Sequence, residues 1–301
     1  MHYLFESGFF ASGPVHVALA VGAVVAITSA VVGTFTVTRG QSFAGHSLGD
    51  ISTTGGSGAF LLGVNQFWGY LLFGAAAAAV MELVGVQRRR GRDVATGVVL
   101  GAALGLAALF LYLGTQYSST TGASFTILFG SIFVLTSSTV PALIASAVVA
   151  LATVLALSRV LLLTSLSPDI AAARGVPVRA VGAVYLIALA ISVALSAVII
   201  GSVLSTALLI GPAATALRIT RGPVRAMAVA AGIGVAATWI GVLLAYDSYF
   251  WPPHGHGWPV SFFVVTLVVG GYLLSYLRRG PARGPAEAAE ARTEERVCSP
   301  A

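Results

Sequence analysis

Two residues stand out as able to hold an ion, His46 and Asp50, in the stretch QSFAGHSLGDISTTGGSG from Gln41 to Gly58. They are four apart, so on a helix both side chains share one face. Imidazole with carboxylate suits a divalent transition metal such as zinc, manganese or ferrous iron. Ser47, Ser52 or a second copy of the chain could add contacts as a hydrated ion sheds water. Two ligands make a weak site, and weak binding suits a path through which an ion must also leave. The competing reading puts His46 in a loop beside Arg39 and makes Asp50 a helix N-cap. A second pair, His254 and His256, lies in the segment Tyr246–Pro259 with Asp247, Trp251 and Trp258. At i,i+2 spacing these histidines could catch or hand over a metal. The alternative there is an interfacial belt of aromatic residues with proline turns and incidental histidines.

The elements that must position these groups are membrane spans. Of 301 residues, 57% are hydrophobic and 9% are charged, and the mean hydropathy is +0.94. Soluble domains carry about 25% charged residues, so the composition is that of a polytopic membrane protein. The net charge of +6 sits in short loops, where it reports topology and not a nucleic-acid partner. All 16 basic residues are Arg, which hints at a GC-rich genome. The single cysteine, Cys298, excludes a disulfide framework or a thiolate metal site. The first residues, MHYLFESGFF, have no basic segment, so no cleavable leader is expected.

Apolar runs predict spans at Val15–Val37, Trp68–Val86, Val94–Leu113, Val140–Leu163, Val178–Ile200, Val203–Leu217, Val224–Ala245 and Val260–Leu277. Arginines flank these runs at Arg39, Arg88–Arg92, Arg159, Arg174, Arg179, Arg218, Arg221, Arg225, Arg278 and Arg279. The positive-inside rule puts them all in the cytoplasm, which requires one more crossing between Arg39 and Trp68. Only Asp50–Val64, a polar and Gly-rich piece, can supply it. The expectation is an all-α helical bundle of about eight or nine spans, N-terminus outside and C-terminus inside. Phe125–Leu135 is a short apolar piece that could be re-entrant. Glu82 is expected to pair with Arg88–Arg90 at the end of its span. Residues 1–279 would form the transmembrane domain and residues 280–301, rich in Pro, Ala, Glu and Arg, a disordered cytoplasmic tail.

Between the fourth and fifth of these runs lies SPDIAAARGV, from Ser167 to Val176. Pro168 fits position N1 of a short helix, Asp169 its electropositive first turn, and Gly175 the C′ position. Ala171–Ala173 offers a small face and Arg174 a charge. Downstream, GSVLSTALLIGPAATA from Gly201 to Ala216 contains Gly201 and the Gly211-Pro212 pair, a predicted break in a helix.

These pieces together resemble the permease subunits of metal-ion ABC importers, the ABC-3 family. SPDIAAARGV is similar to the family's D-P-E/D-x-A-x-x-x-G-V helix, and GSVLSTALLIGPAATA to its G-x-L-L-x-x-A-L-L-I-x-P-A-A-T-A span. LFGSI, from Leu128 to Ile132, resembles its L-F-G-D-I/L, and Ser42 to Gly55 resembles the segment that carries its acidic/His pair. The resemblance covers about residues 14 to 277. It implies a path for the metal at His46 and Asp50, a cytoplasmic coupling helix at Pro168, Asp169, Arg174 and Gly175, and gating at Gly201, Gly211 and Pro212. It implies two copies of an ABC ATPase, an extracytoplasmic metal-binding lipoprotein, a second permease copy, and a transported metal with no permanently bound cofactor. Two residues depart from the pattern: the family has the acidic residue before the His, and Ser131 stands where the family often has Asp.

Other classes fit less of the chain. No phosphate-binding loop or nucleophile–base constellation is present, so the chain is not expected to be an enzyme by itself, and active transport needs an ATPase from another subunit. A secondary transporter or channel would not need the Ser167–Val176 helix. A permease for a chelated metal or vitamin shares the Gly/Ala richness but has an additional span. A membrane scaffold that no longer transports would accommodate the exchanged His46 and Asp50.

Overall fold

The computed structural model of the chain describes residues 8–83, 92–118, 122–130, 132–251, 255 and 257–278. Among them are eleven α-helices and no strand. They are α1 (Gly13–Thr38), α2 (Ser42–Leu61), α3 (Gln66–Leu83), α4 (Arg92–Ser118), α5 (Gly122–Phe129), α6 (Val140–Leu166), α7 (Pro168–Ala173), α8 (Val178–Ile200), α9 (Ser205–Ile219), α10 (Pro223–Ser248) and α11 (Val260–Arg278). Six helices, α1, α4, α6, α8, α10 and α11, are long and apolar enough to cross a membrane by length and composition. The expected tail, residues 280–301, and the arginines 88–90 lie outside the described residues.

Burial ranks the helices by position. In its apolar window α8 is 72% buried against 11% for α4, so α8 is the axis and α4 faces outward. Around α8 pack α1, α2, α3, α6 and α9. Its C-terminal half joins Val21, Val25, Leu195, Ile199 and Val264 in one apolar core, and its N-terminal half joins Val32, Phe35, Leu48, Tyr185 and Leu189 in another.

The segment with the least hydrophobic sequence forms the continuous helix α2. Its hydroxyls donate back along the helix: Ser47 to the Phe43 carbonyl (2.9 Å), Ser52 to Leu48 (2.6 Å), Thr53 to Gly49 (3.0 Å) and Ser57 to Thr53 (2.8 Å). Thr54 donates across to the Ala103 carbonyl of α4 (2.8 Å). Each polar group is thereby satisfied inside the protein, which lets a Ser/Thr/Gly sequence be buried without lipid-compatible side chains. Small residues also bring backbones together. A Cβ on Gly55 would fall on the Gly69 carbonyl oxygen, and one on Gly69 on the Gly55 carbonyl oxygen, so α2 and α3 cross at van der Waals contact.

One other expectation is narrowed and one changes. The Phe125–Leu135 piece is α5 followed by a 3₁₀ turn at Ile132–Val134, and eight helical residues rise only about 12 Å, too little to cross. The Gly211-Pro212 pair does not break a helix, since α9 continues through Pro212 from Ser205 to Ile219. Proline removes one backbone donor, and the first turns on either side hold the helix together, with Thr215 donating to the Gly211 carbonyl (2.8 Å). The real interruption is at Gly201, which caps α8 with φ 96°. There the chain crosses α5 at Gly130 (φ 84°): the Ser202 amide donates to the Ile127 carbonyl (3.1 Å), and a Cβ on either glycine would overlap the other segment's backbone.

Gly201→Ala should therefore be costly on two counts, a left-handed backbone and a backbone overlap, together about 2–5 kcal/mol. A large fall in melting temperature in detergent is expected, whereas Gly270→Ala, with open space at its Cβ, should melt like the parent.

Candidate ion path and coupling helix

α2 starts at Ser42, so Asp50 lies in its third turn and is not an N-cap, and His46 is helical as well. The His46 Nε2 atom is 3.4 Å from Asp50 Oδ2, and the pair is 44% and 14% exposed. The other ring nitrogen, Nδ1, is 3.0 Å from the Thr206 hydroxyl in the first turn of α9. Glycines set this approach: a Cβ on Gly45 would touch Leu209 of α9, and one on Gly49 would touch Val193 of α8 and the Ser205 hydroxyl. With glycine at both positions α2 lies close to α8 and α9, and His46 reaches the neighbouring helix.

Sequence reasoning missed Thr206 and proposed two ligands that the structure withholds. Ser47 and Ser52 are fully buried, and both hydroxyls are committed to carbonyls of α2. Thr206 was masked by its surroundings, since a Thr within an apolar run ordinarily donates to its own helix. The one signal was the polar pair Ser205-Thr206 in an otherwise apolar segment. Among the described residues no group of three or more His, Cys, Asp or Glu comes together, so one chain offers two such ligands here. His254 and His256 lie outside the described residues, as does Ser131. Near the first two, Trp258 stacks on Phe263 with ring centroids 6.1 Å apart, and its amide donates to the Ser248 hydroxyl (2.9 Å).

α7 is built as a capped single turn and a half. Ser167 is its N-cap and accepts from the Ile170 amide (3.4 Å), Pro168 stands in the first turn, and Asp169 follows it. At the other end Gly175 (φ 79°) donates to the Ala172 carbonyl (2.9 Å) and Val176 to the Ala171 carbonyl (3.1 Å), a Schellman closure. Of the three alanines only Ala172 and Ala173 are exposed, because Ala171 turns inward and is fully buried. The outward surface instead carries Leu166 (86% exposed) and Ile170 (52% exposed) beside Asp169 and Arg174.

The helix leading into α7 is fastened to the end of α1. Arg39, at the end of α1, donates from Nη1 to Thr164 of α6 (2.9 Å), and its guanidinium lies 5.2 Å from the Tyr185 ring centroid. The Tyr185 hydroxyl bonds Thr36 (2.7 Å). Glu82 keeps one buried carboxylate oxygen without a hydrogen-bond partner, and its expected partners Arg88–Arg90 lie outside the described residues.

Comparison with known proteins now adds to this geometry. The ABC 3 transport family matches residues 14–276. The chain is 28% identical over 243 residues to the manganese transport system membrane protein MntC of Listeria innocua, covering 81% of this chain and 85% of the relative. It is 29% identical over 230 residues to the manganese import system permease protein ScaB of Streptococcus parasanguinis, covering 76% and 81%. In fold it is similar to a chain of PsaBC from Streptococcus pneumoniae in complex with Fab, with a TM-score of 0.73, 24% identity and coverage of 93% and 95%. A match over nearly all the apolar helices makes the chain a multi-pass membrane protein of the ABC 3 transport family.

Proposed function

We propose that the chain is the permease subunit of an ABC importer that carries a divalent transition metal across the cytoplasmic membrane. It would span the membrane nine times, with α1–α4, α6 and α8–α11 crossing, α5 re-entrant and the arginine-bearing ends inside. The observation that carries the reading is the His46–Asp50 pair held against Thr206 on a partly exposed helix face. An ionisable pair open to lipid would be expensive, and such groups in spans ordinarily face a partner or an aqueous path. A second copy of the chain meets this need, bringing two more such ligands to the same seam. Manganese is the cargo we favour, because the two relatives named above are manganese transporters; imidazole and carboxylate accept zinc and ferrous iron as well.

α7 is then the surface that meets the ATPase. Ile170 of α7 and Leu166 at the end of α6 are exposed apolar side chains that a cytoplasmic groove would cover, and the caps of α7 make it a rigid plug. Closure of the paired ATPase subunits would press α7, move α6 and α8 together, and alternate access to His46 and Asp50. A metal-binding lipoprotein would deliver the ion from outside. Uptake of radioactive manganese, zinc and iron by metal-depleted cells that express the chain with its ATPase and binding protein tests the reading. Manganese should accumulate in an ATP-dependent manner; accumulation of none of the three would overturn it.

A further inference from the structure

We infer that Thr206 is a positioning residue that decides which nitrogen of His46 is free to meet the ion, an inference that rests on the metal path proposed above. Nε2 faces a carboxylate oxygen 3.4 Å away, and Nδ1 faces the Thr206 hydroxyl at 3.0 Å. A carboxylate only accepts, so without an ion Nε2 carries the proton and turns it toward Asp50, in a charge contact at 3.4 Å. Nδ1 then accepts from Thr206. When a cation sits between His46 and Asp50, Nε2 must offer it a lone pair, and the ring proton belongs on Nδ1. Nδ1 must now donate, and its partner must accept. A hydroxyl does both by rotating about its C–O bond, with no movement of the helices. Carboxylate, amine and apolar side chains each manage one role or neither.

Two further features single out Thr206. Ser47, Ser52 and Ser205 all donate to nearby backbone carbonyls, whereas the Thr206 hydroxyl turns across to another helix. Its bond also joins α2 to α9, and α9 follows α8 and the coupling helix through the Gly201 turn. Movement of α9 would withdraw the hydroxyl and with it the arrangement in which Nε2 is free. Ligating histidines generally depend on such an outer partner, whose loss costs about 10–100-fold in affinity or activity.

Thr206→Val and Thr206→Ala remove the hydroxyl with different bulk, and Thr206→Ser keeps it. In the full chain with isotope-labelled histidine, NMR of the ring nitrogens reads the proton position directly, and His46→Ala identifies the His46 signals among five histidines. Both hydroxyl-free variants should shift the His46 ring signals and lower manganese(II) uptake by roughly tenfold or more, with unchanged melting temperature. The serine variant should match the parent in both. Val and Ala variants that keep the parental ring signals, or take up manganese(II) within about twofold of the parent, overturn the role of Thr206. His46→Ala cells with parental uptake would instead overturn the path itself, and the inference with it.

Discussion

Cells carrying His46→Ala or Asp50→Ala are expected to lose metal uptake by on the order of a hundredfold, the scale on which removing one preorganised charge-stabilising group slows a reaction. Both side chains are partly exposed at the α2–α9 seam, so the variants should insert and melt like the parent. The loss would then belong to the ion. A divalent cation that gives up water in a low-dielectric path needs a compensating charge close by, and Asp50 is the acidic residue the described part of α2 supplies. Uptake at parental rate in both variants would place the path elsewhere. The exchanged order of the pair offers a sharper comparison. His46→Asp combined with Asp50→His keeps both ligand types four apart on one face, and should restore uptake that either alanine variant lacks. It also puts a carboxylate opposite Thr206, which can accept but not donate, so restoration should be partial.

The second large effect concerns α7. Asp169→Lys with Gly175→Val should uncouple the permease from its ATPase. The lysine puts a positive charge on the electropositive first turn, and valine at φ 79° loses the left-handed closure, each costing about 1 kcal/mol locally. Neither change touches the bundle, since Gly175 has open space at its Cβ and Asp169 is exposed. The chain should stay in the membrane with its melting temperature intact. What should fall, by roughly tenfold or more, is the ATPase that co-purifies and the metal moved per ATP hydrolysed, because a deformed plug no longer seats in a groove. Parental coupling in this variant would show that contact with the ATPase is made elsewhere. Arg39, three residues before the start of α2, links the two sites physically: its bond to Thr164 and its stacking on Tyr185 tie the end of α1 to the helix that enters α7.

Periodicity and charge were enough to read the long apolar helices, because a lipid-facing surface demands apolar side chains wherever it lies in the chain. They were enough to place Pro168 and Gly175 at the two ends of a short helix, because cap preferences are local backbone physics. They also put His46 and Asp50 on one face, which needs only the helical repeat. Local rules misjudged Gly211-Pro212: proline interrupts a helix by removing one donor, and packing of α9 against α1, α10 and α11 holds it continuous. Gly201 was legible as a break but its partner was not, since the crossing with Gly130 joins segments 71 residues apart (201 − 130).

What the sequence alone determined is therefore the class of protein, the helical framework and the placing of His46 and Asp50 on one helix face. What only the tertiary structure decided is their surroundings. Ser47 and Ser52 are committed to carbonyls of their own helix, and Thr206 entered from 160 residues down the chain. A hydroxyl's partner depends on which backbone lies within about 3 Å, and glycines at positions 45 and 49 settle that by bringing α9 against α2.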